Sequence, residues 1–166
     1  MEPLSREVGT LGLSDVESVV RVVGSVVAVG KPVPRPTLAA FSCHQCRNET
    51  LAPQLLSDEH PRMPERCPVE EGGCGALFRV VGTDYVALHS ILTTVQEIRL
   101  RTSVRSPRVV AVLIDALIGK ASRRMRVQLR GKVVLRERTP KSDGDRPTLV
   151  ILVEDIQPAI PGPLPP

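Results

Sequence analysis

Residues 124–138 read RMRVQLRGKVVLRER. Met125, Val127, Leu129 and Val133 take odd positions, while Arg124, Arg126, Gln128, Arg130, Lys132, Arg136 and Arg138 take even ones. A period of two is the signature of a β-strand with one face in a core and the other turned outward. The following TPKSDGDRP (139–147) reads as a turn with Asp143-Gly144 at its apex, and TLVILVEDI (148–156) reads as the return strand.

Working outward, VVRVVGSVVAV (19–29) reads as a strand interrupted by Gly24, a residue expected to mark a bulge or a bend. KPVPRP (31–36) must be extended, since proline and the residue before it avoid helix. ALFRVV (76–81) and LTTVQEIRL (92–100) read as further strands. PRVVAVLIDALIG (107–119) begins as a strand and can end in one helical turn closing on Gly119. The sum is about six strands with little helix, which suits a small, mainly β barrel carrying a cysteine-bearing arm. Its core has to be aliphatic: tryptophan is absent, and Tyr85, Phe41 and Phe78 are the whole aromatic complement.

Three segments are expected: a lead-in over 1–18, the barrel over 19–158 with its arm at about 37–80, and a proline-rich tail or linker over 159–166. No apolar stretch approaches the roughly 20 residues that span a bilayer. MEPLSREVGT lacks the apolar segment of a secretory signal, so an intracellular location is expected, where thiols stay reduced.

The four cysteines fall as Cys43-x2-Cys46 and Cys67-x6-Cys74, with 20 residues between the pairs. Two thiolates two residues apart can face one ion, and tetrahedral zinc needs two such knuckles. The second knuckle is stretched, and Gly72 and Gly73 are the residues that can fold it back to present Cys74. A four-cysteine site has no open position, so this zinc is structural. Buried unliganded thiols and a redox dithiol at Cys43 and Cys46 are the alternatives. His44, His60 and His89 are substitute ligands if Cys74 does not reach.

Residues 99–146 hold 14 Lys/Arg against 4 Asp/Glu, whereas the rest of the chain is net acidic. A basic third on an acidic protein points to a polyanion, and arginine pairs bidentately with phosphate. The candidate contacts are Arg101, Arg105, Arg108, Arg124, Arg126, Arg130, Arg136, Arg138, Lys141 and Arg146. Aromatic stacking platforms are nearly absent, so contacts would go to the nucleic-acid backbone. Replacing Arg136, Arg138 and Lys141 by alanine is expected to weaken DNA binding and leave stability nearly unchanged. No nucleophile–base pair, carboxylate pair or open metal site supports an enzyme.

The serial order of these motifs resembles the N-terminal domain of the minichromosome maintenance (MCM) replicative helicases of archaea and eukaryotes. The matching pieces are Arg21–Val26, Phe41–Cys46, Cys67-Pro68, Gln96-Glu97 and Pro107-Arg108, over roughly residues 19–158. The resemblance implies a five-stranded OB-fold barrel with an inserted zinc-ribbon arm, set in a homo- or hetero-oligomeric ring around single- or double-stranded DNA. It implies that a basic hairpin at Arg136–Arg146 enters the ring channel, and that Gln96, Glu97, Pro107 and Arg108 belong to a loop communicating with an ATPase tier. It places the protein in the archaeal cytoplasm or the eukaryotic nucleus. The chain departs from the family at Ser122-Arg123-Arg124, where Gly-Asp is usual, and it carries no phosphate-binding Gly-x-x-x-x-Gly-Lys-Ser/Thr loop. ATP therefore enters only if a separate motor follows residue 166. The competing expectations are a zinc-ribbon/OB protein-interaction module and a stand-alone RNA-binding protein.

Overall fold

The computed structural model describes residues 5–59, 61–78, 90–136 and 148–160. Its strands are β1 (Arg6–Glu7), β2 (Val19–Val29), β3 (Val33–Ser42), β4 (Glu49–Pro53), β5 (Ile91–Arg101), β6 (Val109–Ile114), β7 (Arg126–Arg136) and β8 (Thr148–Pro158). Among the described residues, helical structure is limited to three-residue 3-10 turns, and no helix is long and apolar enough to cross a membrane. The protein is mainly β. The chain forms two compact units, Met1–Val33 with Thr94–Pro166, and Pro34–Thr93.

In the first unit, β2 pairs antiparallel with β7, β7 with β8, and β5 with both β6 and β2, while β6 and β8 run parallel. These pairings close a ring of five strands, β2-β7-β8-β6-β5. The expected count of five describes this ring alone. Eight strands are present among the described residues, the others being β1, β3 and β4. β2 serves two neighbours in succession: Val19–Ser25 face β7, and Ser25–Val29 face β5, with an irregularity between Val26 and Ala28.

Alternation along β2 sends Val20, Val22 and Val26 into the core with Ile98, Leu100, Val127, Leu129 and Ile151. The core cluster is wholly aliphatic. Gly24 is not at the bulge. It lies on the core face, where a Cβ would come within 2.8 Å of Val8 Cγ1. Val8 is fully buried, so the lead-in contributes to the core, and β1 runs parallel to β2 in the register Arg6↔Val22.

β7 confirms the alternation only in part. Val127, Leu129 and Val133 are buried while Arg126 and Arg130 are exposed. Past Lys132 the even-numbered face also becomes covered, and Val134 and Arg136 are both buried. β7 and β8 pair out to Arg136↔Thr148. The expected turn over 139–147 lies outside the described residues. The IDALIG segment makes the expected single turn, a 3-10 turn over Asp115–Leu117.

In the second unit, β3 and β4 form an antiparallel hairpin from Leu38↔Pro53 to Ser42↔Glu49. β4 falls in the polar stretch 47–66, where no strand was expected. Leu77 makes an isolated bridge to Arg66, and residues 79–81 of the expected ALFRVV strand lie outside the described residues. The Thr37 hydroxyl donates to Ile91 O, and Ser90 Oγ accepts from Ala40 N, tying the start of β5 to β3.

Candidate metal centre and nucleic-acid interface

The first knuckle is the turn of the β3–β4 hairpin. Cys43 N donates to Asn48 O and Arg47 N to Cys43 O, with Arg47 in the left-handed region at φ 64°. The second knuckle solves its excess length with a 3-10 turn, Val69–Glu71, after which Gly72 at φ 84° reverses the chain. Gly73 N then donates to Pro68 O, and Gly75 N to Cys67 O. Gly73 must be glycine here, because a Cβ would stand 2.4 Å from Cys67 Sγ.

These turns bring Cys43, Cys46, Cys67 and Cys74 together, with all four Sγ atoms within 4.8 Å of one another. The close pairs run between knuckles, Cys43–Cys74 at 3.8 Å and Cys46–Cys67 at 3.6 Å. A disulfide needs about 2.05 Å, whereas four sulfurs around a tetrahedral ion at about 2.3 Å sit about 3.8 Å apart. The donors fit a metal ion. The shorter sulfur contacts run between the knuckles and not within Cys43–Cys46, the pair a redox dithiol would use. His44 is exposed, and His60 and His89 lie outside the described residues. Cys74 reaches the cluster, so no histidine is called on.

Electrostatics point the same way. Backbone amides of Cys46 and Gln45 lower the Cys43 pKa to about 7. Burial raises Cys67 to about 11. At Cys74 the Ala76 amide favours the thiolate, but desolvation and the neighbouring Cys46 and Cys43 outweigh it, and the pKa is raised. Four thiolates at this spacing repel one another, and a bound cation removes that repulsion.

The basic strand is differently placed from its sequence reading. Arg126 pairs with Glu7, Arg130 with Glu154 at 3.5 Å, and Lys132 with Glu17 at 2.5 Å. Arg136 is turned inward and pairs with Glu97, their side chains 9% and 20% exposed. It was expected outward; its guanidinium is instead buried against that carboxylate. Arg138, Lys141 and Arg146 lie outside the described residues. Exposed Arg105 and Arg108 carry no ion pair among the described residues, nor do Arg101 and Arg124. Arg101 and Arg124 come together with Arg123, which the sequence reading did not count as a contact.

Gln96 and Glu97 are strand residues in β5. Gln96 Nε2 donates to Gly30 O at 3.0 Å and its Oε1 accepts from Gly119 N at 3.0 Å, while Glu97 O accepts from Gly30 N. Pro107 and Arg108 are exposed in the β5–β6 connection.

No protein-family model and no curated protein sequence matches the chain. Among solved structures, the 1.8 Å crystal structure of the N-terminal domain of an archaeal MCM superposes with a TM-score of 0.66 at 17% identity. The match covers 94% of this chain and 62% of that one. At that identity the likeness establishes architecture, and the chain carries the fold of an archaeal MCM N-terminal domain.

Proposed function

We propose that this chain is a DNA-binding and ring-assembly domain of the MCM type, with a structural zinc on Cys43, Cys46, Cys67 and Cys74. The observation that carries the reading is the fold likeness. It leaves too little of the chain unmatched to omit either the five-strand ring or the four-cysteine unit. We read the ring as an OB-fold barrel and the cysteine unit as its zinc-ribbon arm, stiffened by the metal rather than made reactive by it. Zinc supplies charge neutralisation and a fixed tetrahedral crosslink between the knuckles. DNA contacts are to the backbone, through arginines of the basic third.

Helicase activity, ATP binding, ring formation with like or related subunits, and a location in the archaeal cytoplasm or eukaryotic nucleus belong to this proposal. So does communication with a motor. Gln96 and Glu97 would act there by holding the barrel, leaving Pro107 and Arg108 as the exposed contacts.

One observation favours a second reading, a protein-interaction module. The cations of β7 face carboxylates, so that strand offers less net charge to a polyanion than its sequence suggests. Fluorescence anisotropy with labelled oligo-dT at 50–200 mM salt separates the two. DNA binding through several phosphates predicts log K falling linearly with log salt, by about 0.7 per phosphate contacted on a single strand. Absence of binding at low salt favours the interaction module. Metal analysis of the purified protein tests the zinc assignment, and a chain free of metal with four reactive thiols overturns it.

A further inference from the structure

The first unit holds a recess of about 380 Å³ lined by Ser25, Val26 and Val27 of β2, Arg101 at the end of β5, Thr102, Ser103 and Val104 after it, and Arg123 and Arg124 before β7. It opens where β2 exchanges β7 for β5 as its partner, so the two neighbouring strands diverge there. Its lining residues include three arginines, three hydroxyl residues and three valines, and no aspartate or glutamate. Elsewhere on this unit Arg6, Arg126, Arg130 and Arg136 are each matched by an acid, while Arg105 and Arg108, which are not, are exposed and outside the recess. Here Arg101, Arg123 and Arg124 have no ion pair among the described residues, although Arg101 Nη1 donates to Val104 O at 3.5 Å, and like charges gathered at one recess favour an anion from outside.

The walls are held in place. Arg124 sits in the left-handed region at φ 74°, a strained backbone for arginine. It is fixed there by Arg124 N donating to Val26 O and Val26 N donating to Met125 O, both at 2.8 Å. On the other wall Ser106 Oγ accepts from Thr102 N and Ser103 N, and the Thr102 hydroxyl accepts from Gly9 N. The loop is thus closed on itself before any ligand arrives.

We propose that this recess seats one phosphodiester group, with its sugar, of single-stranded nucleic acid. This rests on the nucleic-acid reading above and adds a defined position to it. Guanidinium forks suit phosphate oxygens, and the lack of aromatic lining leaves no stacking surface for a base. A single concave site suits a strand that can bend a phosphate into it. A duplex, with a persistence length of about 50 nm, presents its phosphates to a track.

The test compares Arg101→Gln/Arg123→Gln with Arg99→Gln/Lys120→Gln, which removes the same charge from exposed positions outside the recess. Arg124 is kept because of its backbone. Oligo-dT and duplex affinities are measured across salt, and inorganic phosphate is titrated into the unaltered protein while the arginine Nε–H signals are followed by NMR. The recess variant is expected to lose about tenfold or more in oligo-dT affinity and to flatten the salt slope by about 0.7, with the control losing less than about threefold. Phosphate should shift Arg101, Arg123 and Arg124 together. Equal losses in both variants, or unshifted signals, overturn the recess while leaving the nucleic-acid function standing. A larger loss on duplex overturns the single-strand assignment. If the unaltered protein binds no nucleic acid, the parent reading fails and this assignment with it, whatever phosphate does.

Discussion

Arg136→Ala is expected to destabilise the five-strand ring, although the sequence places Arg136 on an outward basic face. Its side chain is 9% exposed and pairs with Glu97, which is 20% exposed. Removing one member of a buried pair leaves the other charge without compensation, at a cost of 3–5 kcal/mol when burial is complete. Glu97 retains some water, so about 2–4 kcal/mol is the expected loss. For a domain of this size 1 kcal/mol moves Tm by about 2–4 °C, so a drop of roughly 4–16 °C follows. Thermal and urea unfolding of Arg136→Ala, Glu97→Gln and the double variant give the coupling, expected at about 1 kcal/mol or more. Arg130→Ala is the control. Its pair with Glu154 is half exposed at 3.5 Å, and exposed pairs contribute about 0–1 kcal/mol. If Arg136→Ala and Arg130→Ala melt alike, within about 2 °C of the parent, the buried pair is not as described. Loss of DNA affinity on a triple substitution that includes Arg136 must accordingly be separated from loss of fold.

Three further outcomes are expected. Zinc affinity, followed by competition with a chromophoric chelator, should rise steeply with pH. Cys67 at about 11 and Cys74, also raised, must each release a proton at neutral pH, giving at least about a hundredfold per pH unit; a flat profile would refute thiolate ligation by both. Cys74→Ser should lower zinc affinity by at least about tenfold and reduce protection of the β3–β4 hairpin from proteolysis, whereas His44→Ala should do neither. Asp15, whose pKa is lowered by the Gly12 amide and by Arg6, stabilises the fold above its unfolded value of 3.8 and loses that contribution as pH falls through its lower folded value. Asp15→Asn should therefore cost about 1 kcal/mol or less at pH 7, with the difference vanishing in strong acid; a deficit that persists there would point to packing instead.

What the sequence made legible was whatever rests on neighbours along the chain. β2, β6, β7 and β8 were readable because valine and leucine alternate or cluster there, and the four-cysteine cluster was readable because thiols at knuckle spacing have few other uses. Charge on the surface of the ring was not readable. Glu7, Glu17 and Glu97 reach Arg126, Lys132 and Arg136 across 119, 115 and 39 positions, so no local window contains both members of a pair. Arg136 shows the same limit for burial: period two assigns it to the even face, but what covers that face comes from β5. β4 was missed because its residues, ETLAP, are a poor strand in isolation and pair only once the cysteine turn returns them to β3. Arg123 carried a signal, its place in Ser122-Arg123-Arg124, yet only the fold brings it beside Arg101.

β1 has a consequence for how the ring is sealed. β2 gives one flank to β7, while on its other flank β5 covers only Ser25–Val29. Beyond that point the flank would be bare, and Arg6–Glu7 occupy it at Val22 and Val23. The segment acts as a stopper in a seam. Its two residues satisfy the backbone groups there, Val8 drives in behind them, and the turn that follows leaves no long edge on which another chain could build. A chain beginning at residue 19 would keep every strand of the ring and still present an open seam, with self-association as its expected fault.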